Sequence, residues 1–125
     1  MISISLVLWL LFLHWVGDSL FQSGLMAVRK GNSPVVLTQH VLIYTWTIGL
    51  GLLFRDVWQM VALYAILNGI LHWLTDFVTS KLNGRLWKSG NATTPPNLHW
   101  FFVSVLSDQL VHTIALVLTA SWLLT

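Results

Sequence analysis

The sequence predicts an all-α fold: an integral membrane four-helix bundle threaded up-down-up-down, with both termini on the non-cytoplasmic side. Three observations lead there. Of the 125 residues, 56% are hydrophobic and 8% are charged, far from the balance of a soluble domain. Four apolar stretches approach the roughly 20 helical residues that a hydrocarbon core demands. The breaks between them carry turn chemistry, and their basic residues fall almost entirely on one side. Length and composition suit one domain over residues 1–125.

The first span runs from Ile4 to Ala27. MISISLVLWLLFLHW has no basic segment ahead of its apolar run and no small-residue cleavage site after it, so it reads as a retained helix. RKGNSP, at 29–34, breaks the chain before a second span from Pro34 to Phe54. A tight Arg55-Asp56 corner, where the two charges pair in solvent, leads to a third from Val57 to Ser80. The stretch KLNGRLWKSGNATTPPN, at 81–97, reads as a loop with an amphipathic interfacial piece from Leu82 to Trp87. The fourth span runs from Leu98 to Leu124. Arg29, Lys30, Lys81, Arg85 and Lys88 mark the side of the first and third loops as cytoplasmic, whereas Arg55 stands alone opposite. Trp58 and Trp122 at one boundary, with Trp87 and Trp100 at the other, read as interfacial belts or as bundle packing. Gly17, Gly49 and Gly51 allow helices to approach closely.

Composition also excludes chemistries. The chain has no cysteine, which removes disulfides, thiolate nucleophiles and Cys-type zinc sites. Its net charge is +2, with no basic stripe to follow a phosphate backbone, so no nucleic-acid partner is expected.

The ionisable residues repeat one spacing. His14 and Asp18, His72 and Asp76, and Asp108 and His112 are each i, i+4 pairs and share a helix face. Gln22 extends the first stripe, Asn68 and Ser80 the second, and Ser104 the third, while the second span adds His40 and Tyr44. At about 1.5 Å per residue, Asp18, His40, His72, Asp76 and Asp108 fall roughly 7 to 16 Å below the cytoplasmic boundary. His14 and His112 lie deeper. All four spans thus feed one polar core open to the cytoplasm.

Such a core is costly: each charge at the centre of a span costs about 2.5–3.5 kcal/mol. Something cationic must offset three aspartates. Protonated histidines or a snorkelling Lys81 offer that, and so does a divalent metal. A set of His and Asp ligands without thiolate suits zinc, or manganese or iron. Seven candidates, His14, Asp18, His40, His72, Asp76, Asp108 and His112, exceed one tetrahedral shell, which leaves room for two ions bridged by an aspartate or for carboxylate–histidine support around one ion. A purely structural or proton-relay network is the competing reading. The repetition on three spans inside hydrocarbon favours metal. His99, beside Trp100, is an ordinary interfacial histidine, and Gln22 and Gln109 serve either as supporting hydrogen-bond partners or as glue between helices.

His14-Trp-Val-Gly-Asp18-Ser-Leu-Phe-Gln22, Arg29-Lys30-Gly31, His40, His72-x3-Asp76-x4-Lys81 and Phe102-x5-Asp108-Gln109-x2-His112 together resemble the small bacterial and phage membrane family catalogued as domain of unknown function 3307. The resemblance covers nearly the whole chain and implies a bacterial inner membrane location, without supplying a reaction. A remoter similarity links the motifs to membrane-bound metal-dependent hydrolases.

The leading expectation is a metal-dependent hydrolase acting on a membrane lipid or another anionic substrate. The seven residues hold the metal, His40 and Asp108 also serve proton transfer, and Lys81 and Arg85 at the mouth hold a phosphate or carboxylate or merely set topology. Bound water is the nucleophile. The alternatives are a cation or proton transporter, and an accessory membrane subunit whose polar core only fixes the bundle, as a homo-oligomer or within a larger membrane complex.

Overall fold

The computed structural model describes residues 1–90 and 93–125, and all regular structure among them is helical. α1 (Ile4–Trp15) begins where the Leu6 N–H donates to Ser3 Oγ at 3.2 Å, satisfying one donor that the first turn orphans. It passes directly into a π turn (Val16–Leu20), closed by the Phe21 N–H donating to Val16 O at 2.9 Å. The expected single helix over 4–27 is therefore two. The π turn ends the α ladder, and Ser23 caps a fresh short helix, α2 (Gly24–Arg29), by accepting from the Met26 N–H at 3.1 Å. Hydropathy averages over that stop and start; the capping serine followed by glycine is what encodes it.

α3 (Pro34–Leu52) starts with Ser33 as cap and Pro34 in the first turn, a position where the missing N–H costs nothing. α4 (Trp58–Trp87) has 30 residues and runs straight through Lys81 to Trp87, which the sequence reading assigned to loop. No proline interrupts that stretch, Asn83 and Gly84 stay within the helix, and it closes only at Lys88, whose N–H bonds back to Gly84 O. At about 1.5 Å per residue α4 is about 45 Å long, well beyond a hydrocarbon core of about 30 Å. α5 (Leu98–Leu123) is capped by Asn97 on the Trp100 N–H. Residues 91 and 92 of the intervening loop lie outside the described residues.

Neighbouring helices run antiparallel, as their contacts require. Ser3 meets Arg55, Trp9 Nε1 donates to Gly51 O at 2.8 Å, and Asp18 meets His40. Trp73 reaches Thr38 across α3 and α4, and α4 meets α5 from Tyr64 with Leu116 O to Asn83 with Ser104. One end of the bundle gathers Arg29, Lys30, Lys81, Arg85 and Lys88; the other gathers Ser3, Arg55 and Leu124. An apolar core that includes Leu6, Leu10, Ile48, Leu52, Val61, Leu116 and Ala120 fills the second end.

Three helices, α3, α4 and α5, are long and apolar enough to cross a membrane, while Ile4–Leu20 is a shorter apolar helix. Polarity is inverted relative to a soluble bundle. Leu8, Trp46, Ile66, Leu74, Leu106 and Leu118 face outward, while His40 and Asp76 are 0% exposed. Exposing large apolar side chains around a buried ionic core is unfavourable in water and favourable in lipid.

Candidate metal centre

Every element except α2 supplies a residue to the buried cluster, and the chain just beyond α2 supplies one more. The π turn presents Asp18, and Gly17 beside it lets the turn press on α3. A Cβ there would sit 3.1 Å from Tyr44 Cδ2 and 3.3 Å from Thr47 Cβ. That close approach brings Asp18 Oδ1 to 3.1 Å from His40 Nε2 and 3.2 Å from His72 Nε2. The i, i+4 spacing on α4 sets Asp76 Oδ2 3.4 Å from His72 Nε2, and the same oxygen is 3.5 Å from His40 Nε2. The two imidazole nitrogens are themselves 3.2 Å apart. Four buried ligand-type atoms, one each from Asp18, His40, His72 and Asp76, thus lie within 4.8 Å of one another.

A second set consists of Asp18, Asp108 and His112, so Asp18 belongs to both. His112 Nε2 lies 3.0 Å from Asp76 Oδ1 and 3.2 Å from Asp108 Oδ1. Thr79 donates to Asp108 Oδ1 at 2.6 Å. The rings of Tyr44, His72 and His112 stack in a column, with successive centroids 4.0 Å apart, which fixes the direction in which the His72 Nε2 atom points.

His14 shares the expected face yet stands outside both sets. Its Nε2–H donates to Gln109 Oε1 at 2.8 Å, and its Nδ1 accepts from the Tyr44 hydroxyl at 3.1 Å. In this arrangement both nitrogens are engaged, and the ring acts as a hydrogen-bonding strut between Tyr44 and Gln109. Gln109 in turn donates to Asp18 Oδ2 at 2.9 Å and to Asp108 Oδ2 at 3.2 Å, tying the two sets together. Between the two roles left open for it, Gln109 takes that of a supporting partner. Gln22 instead lines the cleft described below, its Oε1 buried without a hydrogen-bond partner.

Two participants leave no mark in the spacing: Thr79, which donates to Asp108, and Lys30. Lys30, from the turn after α2, places Nζ 2.8 Å from Asp76 Oδ2, with its side chain 14% exposed. Lys81, expected to snorkel inward, lies over the Phe77 ring with Nζ 3.4 Å from the centroid. Only the Arg29-Lys30-Gly31 run hinted at Lys30. Gly31 packs on the Ser80 backbone so tightly that a Cβ there would meet Ser80 O at 2.9 Å, and this closeness carries Lys30 inward. His99 stays exposed beside Trp100, and Asp56 lies 4.0 Å from Arg55 at the far end.

The cluster opens at the basic end into a cleft of about 1000 Å³, whose lining includes Asp18, Asp108 and Gln109 at its floor and Lys30, Lys81, Arg85 and Lys88 around it. His40, Asp18, His72 and Asp76 are 0–5% exposed. The arrangement is thus a buried set of potential metal ligands reached from one end of the bundle.

The family model described as "Protein of unknown function (DUF3307)" matches residues 6–125, and the chain belongs to that family. No curated protein and no solved structure matches it.

Proposed function

From the geometry of the cluster, we propose that the chain is an integral membrane metal-dependent hydrolase, its centre open to the cytoplasmic side and its substrate a lipid or another anionic molecule. One observation carries this reading. Five separations among the four cage atoms lie between 3.1 and 3.5 Å. Ligands about 2.0 Å from a tetrahedral ion stand about 3.3 Å apart, so these five of the six separations match the ligand spacing of a zinc shell. Manganese and iron accept the same donors.

Charge supports it too. Three carboxylates against the single ammonium of Lys30 leave two negative charges uncompensated while the histidines are neutral. One divalent ion cancels both. If one of the four side chains gave up its place, or a fifth position were taken by water, an ion held there would lower the pKa of that water to about 7 and so supply a nucleophile. In this scheme Asp18, His40, His72 and Asp76 hold the first ion. Asp108 and His112, with Asp18, would either hold a second ion or manage protons; Asp108, on the cleft floor, is placed to exchange one with water or substrate. His40, buried behind it, serves as ligand. Gln109 and His14 orient the carboxylates. The basic end faces the cytoplasm by the excess of Lys and Arg there, and α1 with its π turn forms the fourth, thinner span.

A transport path finds no continuation, because Leu6, Leu10, Ile48, Leu52 and Leu116 close the far half. The deciding experiment is elemental analysis of detergent-purified protein beside a folded Asp76→Asn, Asp108→Asn double variant. Stoichiometric zinc, manganese or iron in the parent and its loss in the variant is the expected result. Parent protein that is metal-free after purification without chelator would sink the hydrolase reading.

A further inference from the structure

Asp108 lines two openings. On one side is the basic cleft. On the other is a groove of about 370 Å³ between α4 and α5, walled by Leu82, Leu86, Trp100, Val103 and Val111. These side chains belong to the outward part of the bundle, so the groove is continuous with the surface that meets lipid tails. The cleft beyond Asp108 has the opposite character. Among the described residues no carboxylate pairs with Lys81, Arg85 or Lys88, and Gln22 Oε1 is buried there without a partner.

Resting on the hydrolase reading, we infer that the substrate is an anionic phosphate lipid, its head in the basic cleft and its chain in the α4–α5 groove, meeting at Asp108. A soluble anion has no use for the groove, and a purely apolar molecule has none for the cleft. Only an amphiphile uses both at once. Arg85 offers the planar fork that suits phosphate oxygens, and Lys81 and Lys88 add point charge. The depth agrees: α4 outruns the hydrocarbon core at this end, which puts Arg85 and Lys88 at headgroup level. In the hydrolysis, the water oxygen bonds to phosphorus and the bond from phosphorus to the lipid oxygen breaks. That oxygen leaves as the alcohol with a proton from water, so nothing but water is consumed.

The test uses the full chain in micelles with two photoactivatable lipids of identical chains, a phosphatidic acid and a phosphatidylcholine, and maps the labelled residues by mass spectrometry. Phosphatidic acid should label Leu82, Leu86, Val103 or Val111 about tenfold more than phosphatidylcholine does, a preference that two basic residues at headgroup level suffice to create. Arg85→Gln with Lys88→Gln should abolish the preference, and Val103→Trp should block the labelling by filling the groove without touching a polar residue. Equal labelling by both lipids means ordinary boundary lipid and overturns the inference. Displacement by inorganic phosphate as effective as by unlabelled phosphatidic acid overturns it in favour of a soluble anion. Metal is assayed in the same samples. Metal-loaded protein without lipid preference overturns this inference and leaves the hydrolase reading; preferential labelling of metal-free protein overturns the hydrolase reading and leaves a binding site for an anionic lipid that is not its substrate.

Discussion

The two halves of the bundle bury polar groups in different ways. In the half nearer the termini, Tyr64 donates to Leu116 O at 2.9 Å, and Asn68 donates to Tyr64 O at 3.0 Å and to Thr119 Oγ1 at 2.9 Å. That network is neutral, stays within α4 and α5, and among the described residues leaves none of its fully buried side-chain atoms without a partner. The other half draws charged groups from the π turn, α3, α4, α5 and the turn after α2. Among the described residues, His40 Nδ1 and His72 Nδ1 remain buried there without hydrogen-bond partners. A network built only to join helices has no reason to concentrate carboxylates, or to open them to a cleft, because replacing buried ion pairs with apolar residues is often neutral or stabilising. The contrast separates a polar joint from a polar site.

The contrast breaks most visibly at Asp76, which meets Lys30, His40, His72 and His112. Asp76→Ala strips the carboxylate from all four and leaves the ammonium unpaired, at an expected cost of about 3–5 kcal/mol. Unfolding in mixed micelles after chelator treatment measures it, and a loss under about 1 kcal/mol would mean that the ionic half contributes no more than the neutral one. Lys30→Met acts in the opposite direction on metal. The ammonium stands 2.8 Å from a cage oxygen and repels a second cation. Its removal should tighten divalent binding on the order of tenfold, less than the bare Coulomb value because the lysine can swing into the cleft. Competition with a chromogenic chelator reads the change; weaker binding would make Lys30 a support of the site rather than a rival of the ion.

How much of this the sequence disclosed follows from the range of each interaction. α3 and α5 were legible because each is a long apolar run that follows a break with turn chemistry, RKGNSP before the one and TTPPN before the other. The end of α4 was not, since a charged helix that emerges from a membrane has the hydropathy of a loop. The break after α1 was hidden because the π turn is held by tertiary packing at Gly17. The i, i+4 pairs made the cluster readable, as each lies within one helix. Lys30 was not: its partner is 46 residues away and the contact leaves no periodic trace. His14 sat on the right face, but the Tyr44 and Gln109 bonds that occupy its nitrogens come from two other helices.

The smallest expected effect is the one that isolates the joint. Thr119→Val keeps shape and removes one acceptor of Asn68, whose amide still reaches Tyr64 O. The loss should be about 1 kcal/mol, the net value of an ordinary hydrogen bond, with metal content unchanged. Unfolding and elemental analysis on one preparation report both quantities. If metal falls along with stability, the neutral network positions the centre through α4 and α5, and the two halves form one cooperative device. If stability alone falls, helix joining and ligand positioning are physically separable in this bundle, because the stacked column of Tyr44, His72 and His112 holds the ligands whether or not the far joint is intact.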